Sequence, residues 1–165
     1  MNDLKNELID AVRNDRLQVA TRLLDEGGDI HTSDEEGRPL TWQAIRHGAS
    51  AEMLALLLDR GVDIAWTTEE GVGLLDEAVE RNRLDLVTLL IERGLDPSET
   101  RRRSGMTALM LAASFEYMEM MALLVDKGAD LFAEDSMGWT AVEYARRLGR
   151  TRAKAWLEEK MENPF

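Results

Sequence analysis

The chain repeats a short pattern about every 34 residues, and this period constrains its fold more than any other feature. Two series of glycines recur in parallel, each with steps of 33 or 34 residues. A period of this length is typical of a chain built from copies of one small supersecondary unit, not of a fold around a single centre. The first series is Gly27, Gly61, Gly94 and Gly128, and the second is Gly37, Gly71, Gly105 and Gly138.

Each copy predicts two short helices. Leu-Leu or a similar apolar pair precedes each glycine of the first series, where glycine can adopt φ > 0 and end a helix. Thr107 and Thr140 follow the second series by two residues and are predicted to cap the next helix, and Ser50 is a further candidate cap. A small alanine seven residues after each glycine of the second series lets neighbouring helices approach closely.

A helix pair of this size cannot bury its apolar face alone, so the copies are expected to stack. The predicted fold class is therefore all-α, a solenoid of about five stacked helix–turn–helix units with short hairpin loops. Charged residues on the last helix, such as Arg152 and Glu159, predict a polar outer face of the kind that terminal repeats need.

The pattern resembles the ankyrin repeat over nearly the whole chain. Its best copies are GMTALMLAA, from Gly105, and GAD, from Gly128. The family's Thr-Pro-Leu-His tetrapeptide never appears whole, so the turn that its histidine builds is expected to be weakened. The histidine position is held by Trp42, which is predicted to be core, and by Asp76, Met110 and Glu143.

The resemblance implies one ankyrin-repeat domain over residues 1–165. Its predicted parts are an N-terminal cap unit at 1–33, repeats at 34–67, 68–101 and 102–134, and a C-terminal capping repeat at 135–165.

Charge limits the partners. The formal net charge is −12, which disfavours nucleic acid and anionic membranes. The partner is expected to be a protein, with a basic one favoured, although solubility alone would also explain the acidity. The chain has no cysteine and no uninterrupted apolar segment of membrane-spanning length. We therefore expect a cytoplasmic protein that does not enter a membrane.

No group of residues points to chemistry. His31 and His47 occupy different structural positions, and Gly71-Val-Gly73 is not followed by the Gly-Lys-Ser/Thr of a phosphate-binding loop. Acidic pairs such as Glu35-Glu36 fall at turn tips, where solvation keeps carboxylates ionised. We predict that the protein is not an enzyme and has no catalytic residue, cofactor, metal site or small-molecule substrate.

The resemblance also implies where a partner binds, because hairpin tips and first helices form a concave surface in this family. Phe115 and Trp139 are the aromatic candidates there, and the alternative is that both fold back on a neighbouring repeat. The candidate partner-binding residues are Glu35, Glu36, Arg38, Arg46, His47, Trp66, Glu69, Glu70, Val72, Glu80, Arg81, Arg103, Met106, Phe115, Met137, Trp139, Arg147 and Leu148.

Three functions remain open from the sequence. The first is a non-catalytic protein-binding module that inhibits or neutralises its partner, for example an immunity-type protein that blocks a toxin. The second is an adaptor or assembly factor that presents one protein to another, with the arginine run at 101–103 as a second surface. The third is an unrecognised hydrolase that uses Asp or Glu.

Overall fold

The structure, a computed structural model, describes residues 2–163. Ten helices arranged in five consecutive pairs account for the regular structure in this range, and its β-structure consists of the isolated bridges Ser33–Pro39 and Thr67–Gly73. The predicted all-α class is confirmed. The helices are α1 (Asn2–Arg13), α2 (Leu17–Asp25), α3 (Leu40–Arg46), α4 (Ala51–Asp59), α5 (Leu74–Glu80), α6 (Leu84–Glu92), α7 (Ala108–Ser114), α8 (Met118–Asp126), α9 (Ala141–Arg147) and α10 (Thr151–Glu162).

The chain separates into two compact units between Trp66 and Thr67. In the first unit α1 packs on α3 and α2 on α4. In the second, α7 packs between α5 and α9, and α6 packs on α8. First helices therefore pack on first helices, and second helices on second helices, as expected for stacked repeats. The limits assigned to the individual repeats stay a prediction.

The core consists of the residues that recur with the period. Ala44, Ala78, Ala112 and Ala145 are all buried, as are the leucines Leu57, Leu90 and Leu124 near the ends of second helices. Trp42 is only 6% exposed, which confirms its assignment to the core. The residues that recur with the period of about 34 are therefore those that pack between helices.

The predicted helix caps are confirmed. The hydroxyl oxygens of Ser50, Thr107 and Thr140 accept hydrogen bonds from the backbone N–H groups of Met53, Met110 and Glu143, respectively. The first glycine series has φ between +99° and +111°, a conformation that residues with a Cβ rarely adopt.

The turn that was expected to weaken without histidine is kept in two repeats by other acceptors. The carboxylate of Asp76 accepts from the Gly73 N–H at 2.9 Å. The Met110 sulfur accepts from the Thr107 N–H at 3.4 Å. Loss of the tetrapeptide therefore does not remove this turn from these repeats.

Backbone hydrogen bonds join successive hairpin tips in the second unit. The Arg103 N–H donates to the Glu70 carbonyl at 3.0 Å, and the Ser136 N–H donates to the Ser104 carbonyl at 2.8 Å. The approach is close at Gly71, where a Cβ would lie 1.8 Å from the Arg101 carbonyl oxygen. The three tips are thus fixed to one another through main-chain atoms.

A second link couples neighbouring repeats through helix N-termini. Glu116, at φ +56° between α7 and α8, accepts from the backbone N–H groups of Arg152 and Ala153 in the first turn of α10. Asp15 has the same role in the first unit, where it accepts from the N–H and hydroxyl of Ser50. Each carboxylate thus supports the second helix of the following repeat.

The contact at Gly71 predicts unequal costs for two otherwise similar substitutions. Gly71 and Gly138 both have positive φ, but a Cβ on Gly138 would meet nothing within 4 Å. We expect Gly138→Ala to lower the free energy of unfolding by about 1–2 kcal/mol, the cost of a left-handed alanine. Gly71→Ala should cost about 3 kcal/mol or more, because the Arg101 carbonyl must also move. Urea unfolding of both variants measures the difference, and equal losses would contradict the close approach.

The cap supplied by Glu116 predicts a local loss of stability. Glu116→Ala should cost about 1 kcal/mol, the usual value of an N-terminal cap. The loss should appear as faster amide hydrogen exchange in the first turn of α10. Glu119→Ala is the matched control, because Glu119 is an exposed glutamate on α8. Unchanged exchange at Arg152 and Ala153 in the Glu116 variant would rule out this coupling.

Candidate functional site

The hairpin tips of the second unit form a continuous edge that carries five of its predicted partner-binding residues. We call this set of Glu69, Glu70, Arg103, Met137 and Trp139 the hairpin edge. Met137 is 70% exposed, Trp139 is half-buried, and the three charged residues are exposed. The edge therefore has carboxylates on one tip and a thioether and an indole on the last.

The Trp139 ring lies on its own repeat. It meets the Tyr144 ring edge-on, with centroids 5.4 Å apart, and the Arg147 guanidinium lies 4.1 Å from its centroid. Trp139 is therefore neither fully exposed nor folded onto a neighbouring repeat. The indole is fixed over α9 and keeps part of its surface open to solvent.

Asp135 holds this tip in place. Its carboxylate accepts from the N–H groups of Met137 and Trp139, each at 2.9 Å, and from the Tyr144 hydroxyl at 2.6 Å. Burial opposes ionisation of Asp135, but these hydrogen bonds outweigh it and lower its pKa. Burial and the adjacent carboxylate raise the pKa of Tyr144 to about 12. The apolar side chains therefore stand on a rigid turn.

Glu143, beside the indole, is shared by two arginines. Hydrogen bonds from Arg146, and then from Arg147, lower its pKa from 4.5 to about 2. The Nε of Arg147 donates to Glu143 at 2.6 Å, which orients the guanidinium over Trp139. At neutral pH the cluster contains one carboxylate and two guanidinium groups.

The arginine run at 101–103 is not a uniform basic patch. Arg102 is half-buried, and its Nε lies 3.2 Å from the Asp76 carboxylate. Burial raises the pKa of Asp76, although the Gly73 N–H and Arg102 oppose this. Arg102 also donates to the sulfur of half-buried Met106. It therefore connects two repeats beneath the edge, and only Arg101 and Arg103 are exposed.

A second group of predicted residues lies where the first helices of the second unit end, away from the hairpins. Phe115 is 42% exposed and stacks on Tyr117, and Leu148 is 50% exposed. Glu80 and Arg81 occupy the same position on α5, where Arg81 pairs with the buried carboxylate of Glu77 at 3.2 Å. Val72 is not part of this group: it lies two residues before α5, on the hairpin side, and is half-buried.

Three predicted residues of the first unit, Glu35, Glu36 and Arg38, line a polar groove of about 550 Å³. Glu35 and Glu36 are exposed on its rim, and Arg38 is half-buried and paired with Asp34 and Glu36. Arg46 and His47 are exposed at the end of α3, outside the groove lining. Trp66 is half-buried and lies edge-on to Trp42, at 5.4 Å.

Sequence reasoning missed the other side of this groove. Lys5, Asn6 and Arg13 line it from α1, which had been assigned only a capping role. The Nε of Arg13 donates to Gln43 at 2.8 Å, and Gln43 donates in turn to Asp34. Burial opposes ionisation of Asp34, but hydrogen bonds from Arg38 and Gln43 and the positive charge of Arg38 outweigh it and lower the pKa of Asp34.

Phe132 was also missed, although it is 54% exposed. It occupies the position held in the other copies by His31, Ala65 and Ser98. The sequence could have indicated this residue, because a large apolar side chain stands where the other copies have a polar or small one.

Within residues 2–163, no three His, Cys, Asp or Glu side chains are grouped so as to hold a metal ion. In the same range, no helix has both the length and the apolar character needed to cross a membrane.

Comparison with known sequences settles the family. The profile described as "Ankyrin repeats (3 copies)" matches residues 8–101 and again 75–163. The chain belongs to the ankyrin-repeat family. Ankyrin repeats generally mediate protein–protein interactions, and they are typically non-catalytic.

Individual relatives share the ankyrin repeats, but their names describe different kinds of protein. A putative ankyrin repeat-containing protein of Treponema pallidum (strain Nichols) is 30% identical over 142 residues, which cover 86% of this chain and 47% of that protein. The nuclear factor NF-kappa-B p105 subunit of Gallus gallus is 29% identical over 157 residues, or 93% of this chain and 16% of that protein. Glycerophosphocholine phosphodiesterase gde1 of Schizosaccharomyces pombe is 39% identical over 71 residues, which cover 43% of this chain and 6% of that protein.

The chain spans less than half the length of each of these relatives. Because their names describe unrelated roles, the similarity identifies the repeat and not an activity.

The cluster at Glu143 predicts a distinctive titration. The carboxyl of Glu143 should titrate near pH 2 in a carbon-detected NMR experiment. Because its folded pKa lies below the unfolded value of 4.5, its ion pairs stabilise the protein above that pH, and their contribution is lost as pH falls toward 2. Replacing both Arg146 and Arg147 with Ala should return the pKa of Glu143 toward 4.5. Arg152→Ala, which leaves both partners in place, is the control, and an unaltered titration in the double variant would refute the assignment.

Proposed function

We propose that this ankyrin-repeat chain binds a protein partner through the hairpin edge and the exposed faces of its first helices, and inhibits the partner by covering a working surface. The proposed role is non-catalytic. An immunity-type protein that blocks a toxin is one example of this mode of action. A cytoplasmic location belongs to the same proposal, since a chain without cysteine gains nothing from an oxidising compartment.

The observation that supports it most is the placement of Met137 and Trp139. Neither is needed to fill the core between α7 and α9, which is built from residues such as Ala112 and Ala145. Both are held on a turn fixed by Asp135. An exposed apolar group on a preorganised support is the usual anchor of an interface, because little conformational entropy is lost when it binds.

Charge supports a basic partner. Glu69, Glu70 and Glu80 are exposed in the second unit, and Glu35 and Glu36 are exposed in the first. With a net charge of −12, these carboxylates favour rapid encounter with a positively charged surface. Arg103 on the hairpin edge would then contribute to selecting where the partner docks.

An adaptor is the second candidate, favoured by the position of Phe115 and Leu148. They follow the C-terminal ends of α7 and α9, whereas Met137 and Trp139 precede the start of α9. A seven-residue helix separates its two ends by about 10 Å. The second unit therefore presents apolar groups at both ends of its first helices. Arg102 is committed to Asp76, so the arginine run is not needed as the second surface.

Paired affinity captures test the proposed function. The wild-type chain and a Met137→Ala variant are used as baits. The partner is identified as the protein most enriched by the wild-type chain over a bait-free control, and its retention should fall about tenfold with the variant. Met137 is chosen because its exposed side chain can be removed without touching the Asp135 network. Phe132→Ala is the matched control, since Phe132 is an exposed apolar residue outside the hairpin edge.

The activity of the captured protein then decides between the two candidates. Loss of its activity in a one-to-one complex supports the inhibitor, whereas an active ternary complex supports the adaptor. A partner that is retained equally by wild type, Met137→Ala and Phe132→Ala would overturn the role of the hairpin edge. For the inhibitor, raising salt should slow association far more than it speeds dissociation.

A further inference from the structure

The ends of α7 and α9 meet in a small basic and apolar corner of an otherwise acidic protein. It consists of Phe115, Leu148, Arg150 and Arg152, and we call it the basic corner. We propose that the basic corner is a separate docking surface for an acidic peptide segment that carries one large apolar side chain. This inference does not depend on the hairpin edge being an interface.

The apolar part of the basic corner is a pair of equivalent residues. Phe115 and Leu148 each follow the last residue of a first helix, and these two helices pack side by side. Both side chains are substantially exposed, at 42% and 50%. A shallow apolar surface at the junction of two repeats follows from this arrangement, and such surfaces commonly take an aromatic or aliphatic anchor.

The basic corner is held rigidly. Phe115 stacks on Tyr117, with centroids 5.1 Å apart and planes inclined by 17°. The Tyr117 hydroxyl donates to the Glu80 carbonyl at 3.2 Å, and Arg150 Nε donates to the Ser114 carbonyl at 2.7 Å. These bonds tie the ends of three successive first helices together. A segment that docks here meets a preorganised surface.

The charge of the basic corner is opposite to that of the protein. Residues 146–154, RRLGRTRAK, contain five cationic residues and no acidic one. Arg146 and Arg147 share the single carboxylate of Glu143. Among residues 2–163, the structure gives the side chains of Arg150 and Arg152 no carboxylate partner, and Lys154 pairs with Glu158. The Glu116 carboxylate lies beside them but accepts from the Arg152 and Ala153 backbone N–H groups. An excess of positive charge therefore surrounds the two apolar side chains.

The complement of this surface is short and acidic. Carboxylates of a peptide match guanidinium groups in geometry and charge. A long polyanion such as nucleic acid would extend beyond the basic corner toward the surrounding carboxylates, and repulsion between like charges would weaken its binding. Screening limits that field to about 8–10 Å at ordinary salt, so a peptide of a few residues is affected mainly by the corner itself.

Selection from a displayed library of random 12-residue peptides tests the proposal, with the whole chain as target. We expect enrichment of peptides in which Asp or Glu flank Trp, Phe or Leu. Binding of an enriched peptide, measured by calorimetry, should weaken about tenfold in Phe115→Ala and also in Arg152→Glu. Arg152 is chosen because its side chain supports no other part of the structure, so the variant is expected to fold.

Matched variants separate this surface from the rest of the molecule. Phe132→Ala and Arg22→Glu alter an exposed phenylalanine and an exposed arginine elsewhere and should leave the affinity unchanged. Peptides that are basic, or that bind Phe115→Ala and Arg152→Glu as well as wild type, would overturn the proposal and point to another surface. The absence of any enriched peptide would also overturn it. Circular dichroism of each variant verifies the fold.

Discussion

The burial of one repeat's leucines and alanines against the next is the constraint on which the structure depends. A pair of helices of seven to twelve residues each is too short to be stable by itself in water. Stacking brings residues such as Ala112 and Leu124 into a core that belongs to no single repeat. Because packing consumes only the inward-facing positions, hairpin tips and helix ends are left available for recognition.

Main-chain contacts convert this stack into a surface of defined geometry. The tips of the second unit are joined through Glu70, Arg103, Ser104 and Ser136, so their side chains keep a fixed spacing. Polar groups beneath them, above all Asp135, fix individual turns. The backbone of the hairpin tips is therefore rigid, and these tips carry the chemically most varied exposed side chains. Acidic, thioether and indole groups can therefore face one partner without first being ordered.

The sequence predicted what is local and periodic. Thr107 caps a helix whose first turn lies directly after it, so adjacent residues determine the contact. Glu116 caps a helix that begins 35 residues later, and no local pattern reveals this. Asp76 and Met110 replaced a histidine through acceptors of different chemistry, which a strict motif search discards. Similarly, the half-exposed position of Trp139 depends on Tyr144 and Arg147 together, and residue type alone does not give it.

The direction of the cross-repeat caps has a consequence for biosynthesis. Asp15 and Glu116 precede the donors Ser50 and Arg152 by 35 and 36 residues, respectively. A ribosome therefore makes each acceptor well before its donors. When the later segment emerges, its unpaired N–H groups meet a carboxylate that the preceding helix pair already contains. This order of acceptor and donor favours assembly from the amino end toward the carboxyl end.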